Sequence, residues 1–280
     1  MSPQTPIDPQ SPSSHVKTLT TAEAAAAEQA ALLPRTPKAR VSGRPQDLQP
    51  GHRLITISGG DLWLHAEAFV YEMYVSIGYT EPSPRHQVEE LARWADSSRF
   101  HAVLDENDRI IGTVRTIFGD YADLPVSQFD RTDHVDPDPV CELSSLVVDH
   151  TQRSTGVIEH LYRAGWLDAW RSGSKAVVAL IDDWLFEAFR DTYHLPFRQI
   201  GVGQHYMGTN PVPVCLPLNG PDYLSLAREN PRFWDWTLEA LTPEEVRDWD
   251  LPIVLLDPAN EEPSPAAAPV SVSNSPHASR

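Results

Sequence analysis

Residues 140–156 constrain the fold of this chain more than any other stretch, because they predict a β-strand that runs directly into an α-helix. The strand is indicated by apolar and β-branched side chains at Leu143, Leu146, Val147 and Val148. Asp149–Thr155 is polar and turn-forming, and apolar residues then recur at helical spacing from Ile158 to Ala169. Unpaired N–H groups point outward from the start of such a helix, so the turn predicts a seat for phosphate.

The same turn resembles the acyl-donor motif of the GNAT superfamily of acyltransferases. That motif reads Gln/Arg-x-x-Gly-x-Gly/Ala at the start of a helix. Here it stands as Arg153-Ser-Thr-Gly156-Val-Ile158, so a large residue replaces the last small one. Three further features narrow the resemblance to one branch: Gly112-Thr-Val-Arg115, Glu142-Leu-Ser144 and, between them, Leu124-Pro125 with Phe129. That branch contains the acyl-homoserine lactone synthases and the N-acyl amino acid synthases.

The resemblance covers about Phe69 to Gly201 and implies a GNAT-like α/β (α+β) fold, in which helices flank a mixed, mostly antiparallel sheet. It also implies an N-acyltransferase that moves an acyl group from a thioester to an amine, such as an amino acid or a related metabolite. The donor, acyl-CoA or acyl-phosphopantetheine on acyl carrier protein, would be a co-substrate, and no permanently bound cofactor is expected. Ser145 stands where lactone synthases usually carry arginine, which argues against a homoserine lactone product.

Glu142 and Ser144 are the predicted catalytic residues, and strand alternation places both side chains on one face. Acyl transfer needs a neutral amine, so Glu142 could accept the amine proton directly or through water. Ser144 could hydrogen-bond the amine or the thioester carbonyl. The alternatives are a strand-end salt bridge for Glu142 and a hydroxyl bonded to its own backbone for Ser144.

The resemblance assigns the acyl donor to the end of the strand and the turn: Leu146, Val147, Val148, Arg153, Ser154, Thr155 and Gly156. Backbone N–H groups of the turn would hold the pantetheine phosphate, and Arg153 would add charge. The turn is also an ordinary capped helix start, with Ser154 or Thr155 as the cap, and both interpretations can hold. A basic patch that would attract the anionic donor is predicted from arginines after the turn, among them Arg163, Arg171 and Arg190.

Arg115 is the predicted substrate-binding residue. It could bind a substrate carboxylate through two hydrogen bonds, pair with Glu142 across the sheet, or face solvent and do neither. Two rival functions also remain open. A non-catalytic ligand-binding protein with a GNAT-like fold would fit the departures at Ser145 and Ile158, and a small-acyl acetyltransferase would use acetyl-coenzyme A.

The composition argues against several other functions. The net charge of −17 makes the chain a poor candidate for general nucleic-acid binding. The two cysteines, Cys141 and Cys215, fall on separate predicted strands and imply no disulfide framework, so a reducing cytoplasm is expected. The sequence shows no metal-ligand spacing, no secretory signal and no apolar run near the roughly 20 residues of a membrane helix.

Residues 51–250 are predicted to form the acyltransferase domain, with a Trp-rich helical extension from about residue 221. Residues 1–50 and 257–280 are rich in Pro, Ser and Ala and poor in large apolar side chains, so both are predicted to be disordered tails. The last two strands of the domain are predicted at Phe197–Met207 and Val212–Leu218.

Overall fold

The computed structural model describes residues 44–132, 138–152, 155–191, 193–218 and 221–253. The strands are β1 Arg53–Ile57, β2 Ser98–Leu104, β3 Ile110–Gly119, β4 Val140–Val148, β5 Ala176–Ile181, β6 Arg198–Gln199 and β7 Val212–Pro217. The helices are α1 Asp61–Ser76, α2 Glu89–Ala92, α3 Val157–Arg171, α4 Asp183–Asp191, α5 Pro221–Glu229, α6 Pro231–Leu238 and α7 Pro243–Asp248. Short 3-10 turns lie before β2, after β3 and after β4.

The strands form one sheet in the order β1-β2-β3-β4-β5-β7-β6. β4 and β5 run parallel because α3 carries the chain back between them, and the other neighbouring pairs are antiparallel. α1 packs on one face of the sheet and α3 on the other. This arrangement confirms the predicted α/β fold with a mostly antiparallel sheet between helices.

β4 and β5 separate part of the way along their length. Their pairing begins at Val140 and ends at Leu143, and the rest of β4 diverges from β5. On its other side β4 carries a bulge, because its register with β3 shifts between Thr113 and Arg115. Ser145 lies in the bulge with a left-handed φ of 48°. Since a bulge bends its strand, β4 turns away from β5 close to the point where their pairing ends.

Aromatic side chains tie the C-terminal extension to the sheet. Trp166 of α3 is fully buried, and its ring lies 5.9 Å from that of Trp234 on α6. Trp236 is also buried, with 1% of its surface exposed. Each such side chain contributes roughly 2–3 kcal/mol through burial. The extension from residue 221 is therefore part of the core on the α3 side.

The strand predicted at Phe197–Met207 is wrong for most of its length. Within the described residues only Arg198–Gln199 pairs with β7, and a loop follows. Gly201 accounts for the difference, because a Cβ there would lie 2.4 Å from the carbonyl oxygen of Asp130. The loop backbone packs against that segment instead of continuing along the sheet, and it returns to the β4–β5 opening at Thr209.

The predicted tails lie largely outside the described residues, which begin at Arg44 and end at Ile253. The part of the N-terminal tail that is described packs on the domain. Pro45 is buried, and Leu48 joins the apolar cluster that contains Val157 of α3. The packed region therefore begins no later than Arg44.

Truncation tests this boundary. Deleting residues 1–43 and those after Asp257 should leave the melting temperature unchanged, because these segments are poor in large apolar side chains. Extending the deletion through Pro50 should lower the melting temperature by about 3–6 °C, since the burial of Pro45 and Leu48 is lost. Differential scanning calorimetry of the two truncated chains makes the comparison. Equal melting temperatures would show that residues 44–50 add nothing to the fold.

Candidate active site

Glu142 lies on β4 just before β4 leaves β5, and only 1% of its surface is exposed. Its Oε2 atom accepts a hydrogen bond from the Val126 N–H at 2.9 Å. That N–H belongs to the 3-10 turn that begins at Pro125. The Leu124-Pro125 pair therefore starts the turn that places this donor at the carboxyl. Burial raises the pKa of Glu142 to about 8, and the Val126 bond offsets part of the rise. Among the described residues no cation neutralises this carboxyl, so a structural salt bridge is not what holds it.

Two tyrosine hydroxyls lie within electrostatic reach of the Glu142 carboxyl. Those of Tyr121 and Tyr206 are both buried, and neither finds a hydrogen-bond partner in the described part of the chain. Burial raises the pKa of each phenol, and the charge of Glu142 raises it further. Leaving such a group unpaired costs about 1–3 kcal/mol. A polar ligand that bonded these hydroxyls would recover that energy.

Arg115 lies on β3, opposite Ser144 of β4, and 2% of its surface is exposed. Its Nε donates to the Ser98 hydroxyl at 2.9 Å, and its guanidinium carbon lies 5.2 Å from the ring centre of Trp63. One terminal nitrogen, Nη2, is buried with no hydrogen-bond partner among the described residues. Burial lowers the pKa of Arg115 to about 10, although the charge of Glu67 opposes this. Arg115 neither pairs with Glu142 nor faces solvent, so it is a buried cation with an unused donor.

Ser144 and Ser145 lie at the bulge. Ser144 is half-buried, and Ser145 is buried with a hydroxyl that lacks a partner of hydrogen-bonding geometry. Tyr74 of α1 lies against Ser145. Burial raises the pKa of Tyr74 to about 12, while the hydroxyl and N–H of Ser145 and the charge of Arg115 lower it. Tyr74 therefore connects the bulge with Arg115.

Asp182 follows β5 at the far side of the opening. Its Oδ2 accepts a hydrogen bond from the Tyr79 hydroxyl, and its Oδ1 accepts one from the Thr209 hydroxyl at 2.5 Å. The ring of Tyr79 lies 5.4 Å from that of Tyr74, and the charge of Asp182 raises the pKa of Tyr74. We use the name acceptor chamber for this set of neighbouring side chains: Glu142, Arg115, Ser145 and tyrosines 74, 79, 121 and 206.

The predicted donor residues lie along the end of β4 and the turn before α3. Leu146 and Val148 pack with the α3-side cluster, whereas Val147 packs on the α1 side. The Thr155 hydroxyl donates to the Gln152 carbonyl at 2.6 Å, and Gly156 begins α3 with a left-handed φ of 79°. Arg153 and Ser154 lie outside the described residues. We call the described residues of this segment, 149–152 together with Thr155 and Gly156, the donor turn.

The basic patch predicted after the turn is wrong for Arg163, Arg171 and Arg190, whose guanidinium groups are engaged within the chain. The Arg163 guanidinium stacks 3.7 Å from the ring centre of Trp236 and donates to its carbonyl at 2.8 Å. Arg171 forms two hydrogen bonds with Glu245, and Arg190 pairs with Asp191. Arg163 and Arg171, the two arginines of α3, thus both contact the C-terminal extension. They do not supply the predicted attraction for an anionic donor.

Other parts of the described chain offer less chemistry. A cavity of about 710 Å³ opens near the start of β2 and β4, lined by serines and Arg99. No predicted site residue lines it, although Ser98, which accepts a hydrogen bond from Arg115, does. No three His, Cys, Asp or Glu side chains in the described ranges are grouped so as to hold a metal ion. None of the helices found there is both long and apolar enough to span a bilayer.

Residues 65–217, more than half of the chain, match the family described as N-acyl amino acid synthase FeeM. Among solved structures, the CoA-dependent acyl-homoserine lactone synthase BjaI with MTA has a TM-score of 0.50 at 14% identity, covering 64% of this chain and 90% of that one. FeeM from uncultured soil microbes is 17% identical, with a TM-score of 0.45 over 59% of this chain and 91% of its own. TofI with an inhibitor and MTA is 17% identical, with a TM-score of 0.47, and the match covers 62% of this chain and 96% of the TofI chain. No curated protein matches the chain.

A sheet that opens between parallel strands, with a helix starting at the opening, is the arrangement of the GNAT fold. The chain belongs to the FeeM family of N-acyl amino acid synthases. It is an N-acyltransferase that takes its acyl group from a thioester co-substrate, as the sequence resemblance implied. The non-catalytic alternative is not favoured.

Proposed function

We propose that the chain acylates the α-amino group of an amino acid, with Glu142 as the general base and Arg115 as the carboxylate-binding residue. The strand register supports this pairing of roles. Arg115 lies opposite Ser144, so Glu142 is its diagonal neighbour on the same face, and such neighbours are roughly 7–8 Å apart. An α-amino acid could place its carboxylate on the guanidinium and its amine at the Glu142 carboxyl.

The chemistry follows from the environment of Glu142. The amine nitrogen attacks the thioester carbonyl carbon, a C–N bond forms, and the C–S bond breaks. Glu142 takes the proton from nitrogen and passes it to the departing thiolate. A carboxyl with a pKa of about 8 suits this exchange, because a general base works best with a pKa near the working pH. Backbone N–H groups at the Ser145 bulge would polarise the thioester carbonyl.

The donor side of the proposal rests on the open edge of β4. Beyond Leu143 the described part of β4 no longer pairs with β5, so its edge faces the opening. A pantetheine arm carries amides that can pair with such an edge as an added strand does. Its phosphate would then reach the donor turn at Thr155 and Gly156. Acyl-CoA and acyl carrier protein share this arm, and both are donors under this proposal.

One observation carries the proposal: a buried arginine with an unused donor lies diagonal to a buried carboxyl whose pKa is raised. The test incubates the purified full chain with acyl-CoA thioesters from acetyl to long-chain and with a panel of amino acids. Thiol release should require the amino acid, and mass spectrometry should detect the N-acyl product. Equal acceptance of amines without a carboxylate, or no thiol release with any pair, would contradict the proposal. The preferred chain length also tests the acetyltransferase alternative.

A further inference from the structure

We infer that residues 44–48 form a strap that positions the donor turn, and that an ion pair between Arg44 and Glu239 latches the strap. This inference rests on the function proposed above, because it assigns donor binding to that turn. The strap and Glu239 both lie outside residues 65–217, the part of the chain that matches the family. Their contacts converge on the residues around the start of α3.

The strap touches the donor turn through the backbone of Gln46. Gly156 ends the turn with a φ of 79°, and a Cβ on it would lie 2.5 Å from the Gln46 carbonyl oxygen. Glycine is needed there for two reasons, the left-handed backbone and the closeness of the strap. With Gln46 in place the turn is supported from one side.

Two more contacts fix the strap on α3. The Gln46 carbonyl lies 3.1 Å from His160 Nε2, and because a carbonyl can only accept, Nε2 carries the proton and donates it. The other ring nitrogen, Nδ1, faces Arg163 Nη2 at 3.4 Å and accepts from it. The ring is therefore neutral, in agreement with burial and the Arg163 charge lowering the pKa of His160. Leu48 packs in the cluster of Val157.

The latch joins the strap to the C-terminal extension. Arg44 donates from Nη2 to Glu239 Oε2 at 2.9 Å and from Nε to Oε1 at 3.3 Å, and it also pairs with Asp47 at 3.1 Å. Glu239 directly follows α6, which is anchored by the buried Trp236. Trp236 in turn lies edge-on to His160 at 5.1 Å. The strap is thus tied to a rigid part of the core at one end and to the donor turn at the other.

The strap is a positioning element, because it contacts the turn and none of the groups of the acceptor chamber. Freeing it should let the turn move and should weaken donor binding. The amine site at Arg115 and Glu142 should be unaffected, since these side chains lie on the other face of the sheet.

The experiment compares full-length Arg44→Gln, Glu239→Gln and the double variant with the wild type. Arg247→Gln is the matched control, because Arg247 pairs with Glu244 at 3.2 Å on the same extension and is well exposed. We expect each latch variant to raise the donor KM and the dissociation constant for CoA, measured by calorimetry, about two- to fivefold, the range of an exposed ion pair. The double variant should match Arg44→Gln, because that change alone already breaks the latch and the pair with Asp47. The amine KM, kcat and the control should stay at wild-type values.

Three outcomes would contradict the inference that the strap positions the donor turn. They are an unchanged CoA affinity in the latch variants, an equal change in the donor and amine KM, and the same change in Arg247→Gln. A wild type that binds CoA but releases no thiol would count against the proposed function alone. In that case the calorimetric comparison still decides the inference about the strap.

Discussion

Replacing Glu142 with glutamine should lower turnover by about 10²-fold or more near neutral pH while the fold remains intact. General-base assistance is typically of that size, and the amide of glutamine cannot accept the amine proton. The wild-type rate should rise with pH, reach half of its plateau near pH 8, where half of the buried carboxyl groups have lost their proton, and level off above about pH 9. The variant should lack that rise. Initial rates of thiol release from pH 6 to pH 9.5, at saturating amino acid, measure both effects.

The stability of the same variant provides an independent check. The folded pKa of Glu142 is raised from 4.5 to about 8, so the neutral acid is the form that the fold favours. This group's favourable contribution to stability is complete below its unfolded pKa and is lost as the pH rises through 8. Glutamine stays neutral, so Glu142→Gln should be more stable than the wild type at pH 9, and the gap should narrow at pH 5. A variant that unfolds more readily at pH 9, or one with full turnover, would remove Glu142 from the proposed mechanism.

Replacing Arg115 with methionine should reduce kcat/KM for amino acids by about 10²-fold or more. Breaking a desolvated, charge-assisted contact costs about 2–5 kcal/mol. Methionine keeps much of the packing against the aromatic rings of Trp63 and Phe100 but removes the cation. The melting temperature should not fall. Burying the guanidinium costs desolvation free energy, and its one hydrogen bond among the described residues, to Ser98, offsets little of that cost.

The acceptor itself supplies the control for Arg115. An amino acid amide has the same amine and side chain but no carboxylate, so its kcat/KM should change by no more than about threefold in Arg115→Met. Parallel assays with an amino acid and its amide make the comparison. If both acceptors lose activity equally, Arg115 supports the fold of the chamber and binds no carboxylate.

The sequence predicts β4 and the start of α3 well because both depend on local patterns. Val140–Val148 and the helix after Gly156 follow from alternation and helical spacing, and the structure has both. Glu142 could be singled out because the motif and the strand pattern agree. The bulge at Ser145 could not be predicted, since one extra residue in a ladder leaves no mark in the periodicity of a short strand.

The acceptor chamber was beyond sequence reasoning for a different reason. Tyr74, Tyr121 and Tyr206 come from a helix, a 3-10 turn and a loop. Only tertiary packing brings Tyr121 and Tyr206 near the Glu142 carboxyl and Tyr74 near Ser145 and Arg115. The predicted strand that contains Tyr206 exists for just two residues, Arg198 and Gln199. From the sequence, a tyrosine in any of these settings is expected to be an ordinary core residue. No spacing rule distinguishes a core tyrosine from a tyrosine that lines a functional site.

The error over the basic patch has a clear physical cause. A charged residue on a predicted helix is taken to face water, because the sequence does not show what will cover the helix. Arg163 and Arg171 instead meet Trp236 and Glu245 of the extension. Charge counted along a chain therefore overstates the free charge on its surface whenever a later segment folds back over it.

The opening between β4 and β5 links the supply of donor to the abundance of the enzyme. If the donor completes the ladder there, it binds the folded chain and not the unfolded one. Mass action then stabilises the protein by about 2.7 kcal/mol at a donor concentration of 100 times its dissociation constant. Because the unfolded fraction is what cellular proteases remove, a loaded chain persists longer than an empty one. Cells rich in acyl thioesters would accumulate more of this protein at an unchanged rate of synthesis.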